Sequence, residues 1–334
     1  MPSRVGAGSF LQDVAGSRRM LFGAAVSAAH LRDAALCEAI LRETGSLTAE
    51  LEMKWSHVER HEGQFEFQDA DAVANFAHAH QKRLHGHALL WHRSIPDWAM
   101  KAGRLQDDWD SIERFVAAMA RRYSGVESWD VINEPIGPAE QPDGLRQSAF
   151  LHAFGPDYIR RALVSARRHA PRAVLCINEY GIEYNTPEHE RKRRGLVQLL
   201  AELRRDGIPL DCVGVQAHLD LSQHHHFDPA VFARFLDELG AMGLQVRISE
   251  LDVKEKDSDG SVAERDRAVA EATRSFLSVA LQNRAVGSIT CWGLSDRYSW
   301  LDVPAGNRGL PFDTDMRRKP MHSAILDALS QRQA

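Results

Sequence analysis

VESWDVINE, residues 126–134, is apolar at Val126, Trp129, Val131 and Ile132 and ends on an amide and a carboxylate, Asn133 and Glu134. LQVRISELD, residues 244–252, does the same with Val246, Ile248 and Leu251, and carries Glu250 and Asp252 at its end. Short runs rich in β-branched and aromatic residues read as buried strands. Polar chemistry concentrated where such a strand stops is the pattern of a sheet that presents its site at the strand C-termini.

Working outward from these two, the same kind of run recurs at LFGAAVS (21–27), SLTAE (46–50), RLHGHALLW (83–91), AVLCINEY (173–180), DCVGVQAHL (211–219) and VGSITCWGL (286–294). Between the runs lie segments with helical spacing, among them Asp108 to Tyr123, Tyr158 to His169, Glu188 to Asp206 and Pro229 to Met242. Strands alternating with such segments are parallel βα units. Eight units in roughly 310 residues predict a closed (β/α)8 TIM barrel of the α/β class. An open doubly wound sheet is the alternative, but it usually begins with a glycine-rich phosphate turn, and none follows the first strand. Residues 1–334 are read as one catalytic barrel, with its core over about residues 20–330.

Bulk properties narrow the function. The chain is 44% hydrophobic and 26% charged, with a net charge of -5. No basic stripe points to nucleic acid, and no apolar run approaches the roughly 18 residues of a membrane span. Cys37, Cys176, Cys212 and Cys291 are far apart in sequence and are expected to be free thiols, three of them in strands. Ser17-Arg18-Arg19 before the apolar stretch from Met20 to Ala29 has the shape of an export signal, but the barrel needs that stretch as its first strand. Cytoplasmic residence and secretion after loss of a leader both stay open. A monomer is expected.

The predicted strand ends carry Glu50, His87 with Trp91, Asn133 with Glu134, Glu179 with Tyr180, Gln216 with His218, Glu250 with Asp252, and Trp292. Flat indoles suit sugar rings, and carboxylates and amides suit hydroxyls. Glycosidic cleavage uses two carboxyl groups, and a retaining mechanism places them about 5–5.5 Å apart. Glu134 ends the fourth strand and Glu250 the seventh, so they face one another across the barrel mouth. A His218 held between Asp252 and Glu250 would keep the latter ionised. The apolar run before Glu134 would favour its protonated form.

With these pieces in place, the chain resembles glycoside hydrolase family 10, the endo-β-1,4-xylanases. The resemblance rests on TAELEMKW (48–55), GHALLWH (86–92), SWDVINEP (128–135), INEYGIEYN (177–185), VGVQAHL (213–219), ISELDV (248–253), CWGLSDRYSWL (291–301), LPFD (310–313) and KP (319–320), in the family's order from about Phe22 to Leu329. It implies a retaining hydrolase of xylan or xylo-oligosaccharides that needs no metal or organic cofactor. Glu134 stands where the family has its acid/base and Glu250 where it has its nucleophile. Asn133 matches the amide on the 2-hydroxyl of the sugar being cleaved, and His218 and Asp252 match the pair supporting the nucleophile. His87, Trp91 and Gln216 match the lining of the central subsite. Glu50 and Lys54 match contacts to the next sugar on the non-reducing side, with Trp292 and Trp300 as the indoles over those two sugars. Tyr180 matches an aromatic on the leaving-group side.

The chain departs from the family pattern at Leu51, which replaces a usual asparagine, at Ala88 and Ala217, which replace frequent threonines, and at Gly181. These changes leave the carboxylates alone and bear on the sugar-binding surface. A related glycosidase acting on substituted or short oligosaccharides, or on other β-glycosides, is the first alternative, and a non-catalytic glycan-binding barrel the second. His224-His225-His226 is expected in a solvated loop, Arg191 to Arg194 on a solvated helix face, Trp55 at rim or core, and Trp98 in a structural position.

Overall fold

The computed structural model describes residues 9–101, 105, 108–137, 144–255, 260–301 and 306–332. Its strands are β1 (Leu21–Val26), β2 (Ser46–Ala49), β3 (Arg83–Gly86), β4 (Leu90–Trp91), β5 (Ser128–Asn133), β6 (Val174–Glu179), β7 (Cys212–Val215), β8 (His218–Asp220), β9 (Gln245–Lys254) and β10 (Val286–Cys291). Eight of them pair in parallel in the order β1, β2, β3, β5, β6, β7, β9, β10. Closure comes from β10, which pairs with β9 on one side and with β1 on the other, where Leu21 lies opposite Ser288. This is the (β/α)8 barrel that the sequence predicts.

Two predicted strands are each broken in two. In the third run the chain leaves the ladder after Gly86, passes a cis His87–Ala88 peptide, and returns as β4 against β5. Leu89 N–H donates to Asp130 O at 2.9 Å, which ties the excursion to β5. In the sixth run Ala217 takes a left-handed φ of 59°, and β8 beyond it pairs with β9 alone. Both breaks lie at the C-terminal mouth, where they turn His87 and His218 into the cleft.

The four helical segments appear at Trp109–Arg122, Tyr158–His169, Pro187–Arg205 and Pro229–Ala241. Three begin on a side-chain cap that satisfies otherwise unpaired N–H groups: Asp108 on Ser111, Thr186 on His189, and Asp228 on Ala230 and Val231. The stretch after Ser17-Arg18-Arg19 is β1, hydrogen-bonded on both sides. No described helix is long and apolar enough to cross a membrane.

One expectation is corrected. Arg191 to Arg194 is not uniformly a solvated face. Lys192 is buried and its Nζ lies 2.8 Å from Glu179 Oε1. Arg193 is buried as well and donates to the carbonyls of Ile182 and Tyr184. The helix turns these two inward, where buried acceptors at the end of β6 need donors, while Arg194 stays outside with Glu190. The four cysteines are free, three of them buried, and Cys176 and Cys212 are register partners on β6 and β7. Trp55 is core, its Nε1 donating to Glu59, and Trp98 packs edge-on against it. The three histidines form one short turn, His224–His226, after β8.

Candidate active site

Glu134 is the first residue past β5, and its φ of 58° is in the left-handed region that side chains avoid. Such a conformation costs on the order of 1–3 kcal/mol and persists only where the surroundings enforce it. Here its N–H donates to Asn178 O at 2.8 Å and its carbonyl accepts from Arg146 Nε at 2.7 Å. The backbone is thus pinned on both sides, and the side chain stands in the cleft.

Glu250 lies within β9, its N–H donating to Gln216 O at 2.9 Å. Its Oε1 accepts from Asn178 Nδ2 at 2.6 Å and its Oε2 lies 3.1 Å from His218 Nε2. His218 Nδ1 in turn is 2.8 Å from Asp252 Oδ1, and Asp252 Oδ2 accepts from Trp300 Nε1 at 2.6 Å. Burial alone would push Glu250 up, but the His218 hydrogen bond and the nearby imidazoles outweigh it and hold the carboxyl below its usual range. Burial opposes the charge on His218, yet Asp252 and Glu250 together raise it well above an ordinary histidine. Asp252 and Glu250 thus both favour the charged form of His218 between them, although burial also pushes the Asp252 carboxyl up.

The two glutamates belong to one hydrogen-bonded chain. Asn178 Nδ2 also donates to Asn133 Oδ1 at 2.9 Å, and Gln216 Nε2 lies 3.4 Å from both Asn133 Oδ1 and Glu134 Oε1. Ser249 Oγ donates to Asn178 Oδ1 and fixes which way the amide faces. Gly214 beneath makes the room, since a Cβ there would fall 2.0 Å from Asn178 Oδ1.

The remaining predicted residues gather around this pair. Glu50, Lys54, His87, Trp91, Asn133, Glu134, Tyr180, Gln216, His218, Glu250, Trp292 and Trp300 line one cleft, and Asp252 sits behind His218. Lys54 is buried with its Nζ 4.4 Å from the centre of the Trp91 ring. Burial pushes the Lys54 amine down, against the charges of Glu250, Glu50, Glu134 and Glu52. Burial likewise pushes Glu50 up to about 7, with Lys54 opposing and Glu52 and Glu250 adding. His87 is held by Asp130 at 2.9 Å, its ring 5.1 Å from that of Trp292. Tyr180 accepts from Arg146 Nη2 at 3.1 Å, on the flank occupied by Glu134.

Sequence reading missed four participants. Asn178 bridges the carboxylates, Asp130 holds His85 and His87, Arg146 fastens Glu134 to Tyr180, and His92 Nδ1 lies 3.8 Å from Glu134 Oε2. Burial and the Arg146 charge push His92 down to about 4, so it is neutral at physiological pH. Asn178 was within reach, because it is the last residue but one of β6 and the register partner of Asn133, which ends β5.

A cleft of indoles surrounds two carboxylates, one just past the fourth barrel strand and one within the seventh. The profile described as glycosyl hydrolase family 10 matches residues 10–328. The chain belongs to glycosyl hydrolase family 10. It is 31% identical over 301 residues to endo-1,4-beta-xylanase B of Thermotoga neapolitana, covering 88% of this chain and 83% of that one. Xylanase 10B from Thermotoga petrophila RKU-1, solved in complex with xylobiose, superposes with a TM-score of 0.87 at 28% identity, covering 98% of each chain. The intracellular xylanase of Thermoanaerobacterium saccharolyticum, solved as a mutant in complex with xylotriose, gives a TM-score of 0.84 at 26% identity, covering 96% of this chain and 99% of that one. Leu51 lines the cleft with 40% of its surface exposed.

Proposed function

We propose that this chain is an endo-acting β-1,4-xylanase that hydrolyses xylan or xylo-oligosaccharides with retention of anomeric configuration. The observation that carries the reading is the clamp on Glu250, whose carboxylate accepts from Asn178 and pairs with a charged His218. A nucleophile must be ionised, and this one is held so. Glu134, on the opposite side of the scissile bond, donates its proton to the leaving oxygen. Glu250 attacks the anomeric carbon and forms a glycosyl ester as the leaving group departs. Glu134, now a carboxylate, takes a proton from water as that water displaces Glu250. Asn133 and Gln216 supply amides between the carboxylates for the hydroxyls of the sugar being cleaved. Trp292 and Trp300 cover its rings on the non-reducing side, and Tyr180 lies on the leaving-group side.

Product analysis tests this reading. Xylan and defined xylo-oligosaccharides are digested, and the anomer released first is read by proton NMR. The β-anomer of short xylo-oligosaccharides is expected, and release of the α-anomer would refute retention. Glu250→Ala is expected to lower kcat by about 10⁴-fold or more. Leu51 favours a second reading, in which the site prefers short or substituted glycones, because an apolar side chain offers a sugar hydroxyl no partner. Rates on polymer, short xylo-oligosaccharides and aryl β-glycosides separate the two. Binding of xylo-oligosaccharides without turnover of any β-glycoside would overturn both and leave a binding protein.

A further inference from the structure

Among the described residues lining the cleft, the lysine and arginine side chains are Lys54 and Arg93. They are placed differently. Lys54 is buried with its Nζ over the Trp91 ring, and the charges of Glu250, Glu50, Glu134 and Glu52 favour its protonated form, although none of them forms an ion pair with it among the described residues. Arg93 is exposed and has no hydrogen bond or ion pair among the described residues. It follows Trp91 and His92 at the end of β4, and Ser94 beyond it is tied to Ser56 at 2.6 Å, so its backbone is fixed at the cleft wall. His92 beside it is pushed down first by burial and then by Arg146, with Glu134 opposing and Arg93 and Lys192 adding. Arg146 is itself occupied by Glu134 O and Tyr180, and Lys192 by Glu179.

An unbranched xylan is uncharged, so nothing in its backbone needs a free guanidinium. The planar fork of arginine matches a carboxylate with two parallel N–H donors, which lysine or an amide does not reproduce. We propose that Arg93 binds a carboxylate carried by the substrate, so that the enzyme prefers xylo-oligosaccharides bearing a uronic-acid branch over neutral ones of the same length. This inference rests on the xylanase reading above and names the class of decorated substrate that the same cleft takes. Arg93 contacts the branch rather than the reacting atoms, and so sets specificity and not chemistry.

The test compares kcat/KM for two xylo-oligosaccharides of equal backbone length, one with a single uronic-acid branch and one without, on wild type, Arg93→Gln and Arg93→Lys. The acidic-to-neutral ratio cancels any loss of folded enzyme. Arg93→Gln is expected to lower that ratio by about tenfold, as for one partly solvated charge-assisted contact. Arg93→Lys is expected to fall between the two. Raising salt to about 0.5 M is expected to shrink the ratio in wild type but not in Arg93→Gln. Ratios equal within twofold in all three proteins would overturn the proposal and leave the xylanase reading standing. Failure of the wild type to cleave either compound would remove that reading and this proposal together.

Discussion

Glu50 shows how one carboxyl trades stability for binding. Its pKa moves from an ordinary 4.5 to about 7, chiefly through burial, with Lys54 opposing and Glu52 and Glu250 adding. His30 Nδ1 lies 3.8 Å away but is itself pushed down by burial and supplies little positive charge. A raised carboxyl pKa means the folded state holds its proton more tightly than the unfolded chain. Stability therefore falls as pH rises from about 4.5 to about 7, by up to about 3 kcal/mol. Glu50→Gln is expected to raise the melting temperature at pH 8 and to change it little near pH 4, as read by calorimetry. The same variant is expected to raise KM and to remove a rise in kcat/KM centred near pH 7, because the ionised carboxylate is the stronger acceptor for sugar hydroxyls. The type of residue at position 50 was legible from the strand-end pattern. Its altered acidity was not, since that depends on Lys54, Glu52 and Glu250 converging in space.

At the scale of elements, the strand C-termini were legible because a buried strand must be apolar until it meets the mouth. The breaks after Gly86 and at Ala217 were not, since both halves of each run stay apolar and periodicity reports only local pattern. The inward turn of Lys192 was hidden for a related reason. A basic run looks solvated unless the buried acceptor at Glu179 is known, and that contact crosses from β6 to the following helix. Breaking a buried pair strands a charge, so Lys192→Met is expected to cost about 3–5 kcal/mol in urea unfolding, most of it recovered when Glu179→Gln is added. Between β6 and β7, Gly214 leaves space for Asn178. Gly214→Ala is expected to displace that amide and lower kcat by about 10- to 100-fold, with a smaller change in KM, because the misplacement is felt at the carboxylates.

The whole molecule is fastened at the end opposite the site by Glu43. Its carboxylate accepts from the Leu11 N–H at 2.9 Å, pairs with Arg318 at 2.6 Å, and lies 3.2 Å from His322. It thereby joins the first and last helices, Leu11–Ser17 and Pro320–Gln331, to the barrel base. Burial pushes Glu43 up, but these partners prevail and hold it below its usual value, so its contribution is present above about pH 4.5 and is lost as pH falls further. Glu43→Ala is expected to cost about 3–5 kcal/mol at pH 7 without changing kcat, as denaturant unfolding and initial rates would report. Chain alternation made the barrel legible, whereas this clasp links residues some 280 positions apart and no local pattern announces it. At the opposite end, everything turns on the division of labour between Glu134 and Glu250. Incubation with a 2-deoxy-2-fluoro xylobioside carrying a good leaving group, followed by peptide mass spectrometry, tests it most directly. A single glycosyl adduct on Glu250 is the expected result, and an adduct on Glu134, or hydrolysis with no adduct formed, would contradict it.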